Sequence, residues 1–312
     1  MRRTPLPEAR RGQLHELLGQ GRCIRAVEAH SGLSALVASG ATCRDDDGRV
    51  VQFDAIWSSS LTISAAQGLP DCELDGIERR LDIIQEVLHA TDRPVIVDGD
   101  TGGEPVNFAH LCARLERMGA SAVVVEDKQH PKRNSLIDAA HHLADPDEFA
   151  AKIRLGRSVL QSDDFIVFAR LESLIAGADV DDALARAETY LLAGADGVMI
   201  HSKARDPEPV FAFLDGYRDL SARLGFRRPV ICVPTAYNAV TADALHARGA
   251  NIVIHANHLL RAAQSAMHEV CLALLRHDRG LEAERLCAPL PQLFDIVGSA
   301  DDALVPAGGW AK

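Results

Sequence analysis

Three carboxylates stand at the ends of apolar runs in a way that suits chemistry. Asp98 and Asp100 close the run PVIVDGD (94–100), and Glu126 closes SAVVVED (121–127). Hard oxygen donors with no His or Cys beside them suit Mg²⁺, which keeps several waters and takes only one or two carboxylates directly. Zinc would want imidazole or thiolate. The plainer alternative is that these acids pair with nearby Lys or Arg. Directly after Glu126 comes EDKQHPKRNSL (126–136), which leaves a buried run and enters a polar, Pro-containing loop. Lys128, Lys132 and Arg133 bring positive charge there, and Asn134 and Ser135 bring neutral hydrogen-bonding groups. Such a loop is suited to close as a lid over an anion and exclude water; otherwise it is a solvated basic loop. Other apolar runs end in Ser59, Asp127, Arg170, Glu172, His201, Thr235 and Asn257.

Something must bring these ends to one place. Eight short β-branched runs recur, CIRAVEA (23–29), FDAIWSS (53–59), PVIVDGD, SAVVVED, FIVFARL (165–171), DGVMIHS (196–202), PVICVP (229–234) and NIVIHAN (251–257). Runs such as VVV and IVF mark strands buried on both faces, hence a parallel sheet. Helical stretches lie between them at 74–90, 107–119 and 181–194, the last two ending in Gly119 and Gly194. This rhythm predicts an α/β chain folded as a (β/α)8 TIM-type barrel, with its chemistry at the C-terminal ends of the strands. A doubly wound sheet would want a GxGxxG loop after its first strand, which the chain lacks. An amphipathic stretch at about 8–19 within residues 1–21 is expected to cap the barrel floor. The barrel is expected over 22–276, with an exposed polar excursion at 40–52 (GATCRDDDGRVVQ), and 277–312 reads as a helical extension and tail.

The chain has 312 residues, with 33 Lys+Arg against 44 Asp+Glu, a net charge of −11. An acidic chain without a basic tract argues against nucleic acid and against a membrane surface as partner. No apolar run reaches the roughly 18 residues a membrane span needs, and the start MRRTPLPEAR has no apolar signal core. Seven scattered cysteines form no CxxC pair, which fits reduced thiols and a cytoplasmic location. The overall field does not gather anions, so any anionic substrate must be held by local charge.

Longer stretches carry a resemblance. EAHSGLSA (28–35), IWSSSLTISAAQGLPD (56–71), VDGDTGG (97–103), VEDKQHPKRNSL (125–136), ARLESLIAG (169–177), ADGVMIHSK (195–203), VPTAY (233–237) and ANHLLRA (256–262) occur in this order. Over about 22–265 the chain resembles the phosphoenolpyruvate mutase family of the isocitrate lyase/phosphoenolpyruvate mutase superfamily. The resemblance implies a barrel whose eighth helix is exchanged between subunits, self-association as homodimer or homotetramer, and Mg²⁺ dependence. It also implies interconversion of phosphoenolpyruvate and phosphonopyruvate, the entry to C–P bond natural products. By motif it assigns Asp98, Asp100 and Glu126 to the Mg²⁺ site, Asp98 as the direct ligand. Trp57, Ser59 and Leu61 in the WSSSL turn belong to substrate binding, the latter two at the carboxylate. Asp71 in GLPD lies near the metal and the reacting groups. Arg170 and His201 surround the phosphoryl group, and Lys132, Asn134, Ser135 and Leu136 belong to the gating loop.

There are departures. The family turn often reads Trp-Gly-Ser-Gly-Leu-Ser, whereas here Ser58 and Ser60 replace the glycines and Thr62 the last serine. Alternatives remain. Phosphonopyruvate hydrolases share barrel, metal and substrate, but their lid reads Thr-Ser-Leu where this one reads Asn134-Ser135-Leu136. Carbon–carbon lyases of the isocitrate type need a Lys-Lys-Cys-Gly-His lid, and no cysteine lies in 121–141. A carboxyphosphonoenolpyruvate-type mutase is a further relative. An inactive scaffold would have lost the metal acids or lid cations, and all are present.

Overall fold

Strands buried on both faces can close on themselves only as a barrel, which leaves no edge unpaired. The computed structural model describes residues 4–298 apart from 75, 131 and 138. The described strands are β1 (Ile24–Ala29), β2 (Thr42–Arg44), β3 (Val50–Gln52), β4 (Ala55–Ser58), β5 (Val95–Asp98), β6 (Ala122–Glu126), β7 (Ile166–Leu171), β8 (Gly197–Ile200), β9 (Val230–Cys232) and β10 (Ile252–His255). Eight of them close a barrel in the order β1-β10-β9-β8-β7-β6-β5-β4, and every neighbouring pair is parallel. These are the eight apolar runs of the sequence. The 40–52 excursion is exposed as expected, but it is an ordered antiparallel hairpin of β2 and β3.

Side-chain alternation places the site. Ile96, Val124, Phe168 and Met199 belong to the cluster that fills the barrel interior. Val97, Val123, Ala169 and Ile200 belong instead to the cluster between strands and helices. Two residues beyond each interior position, on the same face, stand Asp98, Glu126, Arg170 and His201. The polar mouth is thus the next layer of the barrel above its apolar filling.

The floor is closed from below. Helix Pro7–Gly19 contributes Leu14, fully buried in the interior cluster. Arg10 donates to the Thr91 carbonyl at 3.1 Å and Arg11 to the Glu116 carbonyl at 2.6 Å, pinning this helix to the ends of two others.

The helix after β10, His258–His277, has no buried residue and leaves Met267 and Leu275 exposed. Beyond it, helix Leu290–Val297 also leaves Leu290 and Phe294 exposed. The end of the tail, 299–312, lies outside the described residues. No described helix is long and apolar enough to cross a membrane.

Gly197, at the start of β8, has no room for a methyl group. A Cβ there would meet the Phe168 ring and stand 2.6 Å from the Pro229 carbonyl oxygen. Gly197→Ala is therefore expected to cost about 1–3 kcal/mol. Thermal and urea unfolding read this, and an unchanged midpoint would contradict the tight interior.

Candidate active site

The mouth holds a small cavity of about 50 Å³. It is lined by Trp57, Ser59, Leu61, Asp71, Asp98, Lys132, Asn134, Ser135, Leu136, Arg170 and His201. Every site residue expected from sequence is in that lining except Asp100 and Glu126, which stand beside it in contact with Lys132 and Arg170.

The acid side is built on the loop after β5. Asp98 ends the strand, and its Oδ2 accepts the Ser60 hydroxyl at 2.8 Å. Asp100 takes a left-handed backbone (φ +52°), a conformation that Asp tolerates better than most residues. Its carboxylate pairs with Arg80 at 2.7 Å and with the Lys132 ammonium. Burial and the neighbouring Asp100 raise the Asp98 carboxyl above its usual range. For Asp100, burial pushes upward, but Lys132 and Arg80 outweigh it and hold the carboxyl well down. Burial pushes Glu126 up to about 7 against the pull of Arg170.

These residues fit a bound Mg²⁺. Both Glu126 carboxylate oxygens are buried without a hydrogen bond, the nearest cations being Lys128 at 3.7 Å and Arg170 at 3.4 Å. Buried acceptors left open in this way call for a cation or its bound water. No group of three His, Cys, Asp or Glu converges as a ready cage among the described residues.

The cationic side is built on β7 and β8. Arg170 Nε donates to Glu172 Oε1 at 2.5 Å, and Nη2 donates to the Ser135 hydroxyl at 3.0 Å. His201 Nδ1 lies 2.8 Å from the same Glu172 oxygen. Burial, with the charge of Arg170, lowers the His201 pKa, so the ring is neutral. Nδ1 also lies 2.8 Å from Arg170 Nη2, so Glu172 and Arg170 both engage this nitrogen. It accepts from Arg170 in one tautomer and donates to Glu172 in the other, and Nε2 faces away from that pair. Burial opposes the charge on Arg170, yet Glu172 and Glu126 more than compensate and keep the guanidinium protonated.

The lid lies across this mouth. Lys128 donates to Ser135 Oγ at 2.5 Å, and that hydroxyl donates onward to Glu172 Oε2 at 2.8 Å. Lys132 pairs with Asp71 at 2.9 Å, and Asn134 Nδ2 donates to the other Asp71 oxygen at 2.6 Å. Ser59 caps helix Ser60–Ala66, its Oγ accepting from Thr62 N–H at 3.4 Å. The Leu61 amide therefore lies in a first turn, where amides have no intrahelical acceptor and are free for a carboxylate.

Ser60 and Arg80 are not among the site residues expected from sequence, yet they donate to Asp98 and Asp100 respectively. For Ser60 a signal existed, since it stands where the related turn has glycine. Arg80 lies in helix Ile77–Ala90 without any motif.

The phosphoenolpyruvate phosphomutase family model matches residues 14–275. A phosphoenolpyruvate phosphomutase of Tetrahymena pyriformis is 38% identical over 274 residues, covering 87% of this chain and 86% of that one. The chain belongs to the phosphoenolpyruvate phosphomutase family. A crystal structure of a family phosphomutase from Streptomyces platensis subsp. rosaceus superposes with a TM-score of 0.83 at 39% identity, covering 92% of this chain and 94% of that one. The structure of a phosphonopyruvate hydrolase complex with oxalate and Mg²⁺ superposes at 0.80 and 31% identity, covering 93% and 95%. In phosphomutase terms, the mouth offers carboxylates for a cation on one side and Arg170 with His201 for an anion on the other. A lid that reaches both can bridge a small ligand carrying a carboxylate and a phosphorus group.

Proposed function

We propose that the protein is an isomerase that interconverts phosphoenolpyruvate and phosphonopyruvate, the C–P bond-forming step of phosphonate biosynthesis. The observation that carries this reading is Asn134, which lines the cavity and donates to Asp71 at 2.6 Å. It sets an amide, where the related hydrolases have threonine, facing the same space as Arg170 and His201.

The reaction breaks one P–C or P–O bond and makes the other on the same three-carbon unit, so nothing enters or leaves. Such a transfer has a loose, metaphosphate-like character, and the protein's work is positioning and charge stabilisation. Arg170, His201 and Asn134 hold the PO₃ unit as it moves. Ser59 and the Leu61 amide hold the carboxylate, with Trp57 and Leu136 as the apolar walls. Lys132, paired with Asp71, carries positive charge on the lid above the acids. The lid and Ser135 exclude water, which would otherwise divert the PO₃ unit to phosphate. Asp98, with Asp100 and Glu126, would hold a Mg²⁺ ion, which would supply neutralisation of the negative charge on the enolate.

Residues 1–21 serve as the floor cap, 22–276 as the catalytic barrel and 277–312 as an extension. The exposed apolar side chains of His258–His277 support an eighth helix exchanged with a second copy in a homodimer or homotetramer. The substrate is a small molecule, with no nucleic acid or membrane partner, and unpaired cysteines fit a cytoplasmic location.

A coupled assay tests the reaction. Phosphonopyruvate is supplied with lactate dehydrogenase and NADH, and then pyruvate kinase and ADP are added. Oxidation of NADH only after the second addition supports the mutase; oxidation before it reports free pyruvate and therefore the hydrolase. Metal dependence has a readout apart from turnover. Mg²⁺ at about a hundred times its Kd stabilises the native state by ~2.7 kcal/mol. The thermal midpoint should rise with Mg²⁺, return with EDTA, and stay low in Asp98→Asn; a midpoint indifferent to Mg²⁺ contradicts the metal assignment.

A further inference from the structure

Glu73 takes no part in the chemistry described above and does not line the active-site cavity, yet its surroundings are built around its carboxylate. Its backbone is left-handed at φ +57°. A residue with a Cβ is strained there and persists only where the surroundings over-determine it. The side chain is only 9% exposed. Oε1 accepts the Thr101 amide at 3.0 Å and the Thr101 hydroxyl at 2.7 Å. Oε2 accepts His130 Nδ1–H at 2.9 Å and the Lys132 amide at 3.4 Å. One carboxylate therefore ties three segments together. These are the loop that carries Asp71, the loop that carries Asp98 and Asp100, and the first residues of the lid.

We infer that Glu73 is the clasp that holds the lid shut, a positioning residue that acts through His130 and Lys132. The side chain of Lys132 reaches Asp71, Asp100 and Ser60, and Asn134 Nδ2 reaches Asp71, so both are held by the acids of the site and their support. The Glu73 contacts do not involve those acids, so they can stay made while Lys132 and Asn134 turn to the substrate. The carboxylate also sets the lid against the metal-site loop through Thr101, the residue after Asp100. Closing the lid and ordering the acids become one event.

The kinetic consequence rests on the phosphomutase reading; the closure does not, so two readouts are used on the full-length protein. Arg133 is an exposed lid residue and a trypsin site. Loss of one buried charge-assisted hydrogen-bond set in Glu73→Gln should speed cleavage after Arg133 by about tenfold. With phosphonopyruvate and Mg²⁺, the same variant should release inorganic phosphate beside phosphoenolpyruvate, with kcat lowered more than KM is raised and the thermal midpoint near that of the parent. His130→Phe removes one of the two lid contacts of the clasp and leaves the Lys132 amide in place, at a side chain that is 47% exposed. It should shift both readouts in the same direction, and the double variant should be no worse than Glu73→Gln. Should Glu73→Gln fail to fold, His130→Phe carries the test by the same readouts. Parent-like lid cleavage and product partition, or effects of the two changes that simply add, overturn the clasp. A parent enzyme that forms no phosphoenolpyruvate sinks the phosphomutase reading instead, while the cleavage rates still decide on the clasp.

Discussion

Arg170→Lys keeps the charge and lowers kcat by on the order of 10²–10³, the usual cost of removing one preorganised donor from charge developing in a transition state. The guanidinium is fixed from several sides. It donates to Glu172 at 2.5 Å and to Ser135 at 3.0 Å, and it lies 3.4 Å from Glu126. A planar fork of donors can hold Glu172 and the lid hydroxyl and still face the cavity; a single ammonium cannot. The fold should survive, because the lysine remains beside Glu172 and Glu126. Circular dichroism and the thermal midpoint check that, and steady-state rates check the loss. A kcat within threefold of the parent would remove Arg170 from the phosphoryl site.

Asn134→Ala is expected to be comparably severe and more informative. The amide does two things at once. Nδ2 donates to Asp71 at 2.6 Å, and Oδ1 accepts the Leu136 amide at 2.9 Å, shaping the turn that places Ser135 and Leu136. Alanine removes both, so isomerisation should fall by on the order of 10²–10³ while the barrel unfolds as before. Asn134→Thr keeps a hydroxyl but shortens the reach to Asp71. It should shift part of the remaining turnover from phosphoenolpyruvate to pyruvate and phosphate, measured as the ratio of the two phosphorus products. Near-normal isomerisation in Asn134→Ala would refute the lid assignment.

Much of this was legible in the sequence for one physical reason. Strands buried on both faces must be apolar throughout, so a polar residue at their ends stands out. Asp98, Glu126, Arg170 and His201 were visible in this way, and alternation with Ile96, Val124, Phe168 and Met199 explains why they share one face. The hairpin of β2 and β3 was not visible as strands. Three residues per strand are too few for alternation to register, although Asp47-Gly48 is a hairpin-turn signal and Gly48 has φ +77°. The supports of the site were hidden by distance along the chain. Ser60 meets Asp98 across 38 positions, Arg80 meets Asp100 across 20, and Glu73 meets His130 across 57. No local pattern encodes such pairs, because only the closed barrel brings the loops together.

The net charge of −11 also takes a different meaning. At the mouth, the acids are matched locally by Lys128, Lys132, Arg80 and Arg170. The field that a ligand meets is set by these pairs and by any bound metal, not by the total.

The most direct test is ³¹P NMR of phosphonopyruvate incubated with the purified protein and Mg²⁺. The phosphonate resonance should be replaced by that of phosphoenolpyruvate, with little inorganic phosphate, and the conversion should stop on chelation and resume with Mg²⁺. Inorganic phosphate as the main product, or a phosphonate signal that does not change, would contradict the account.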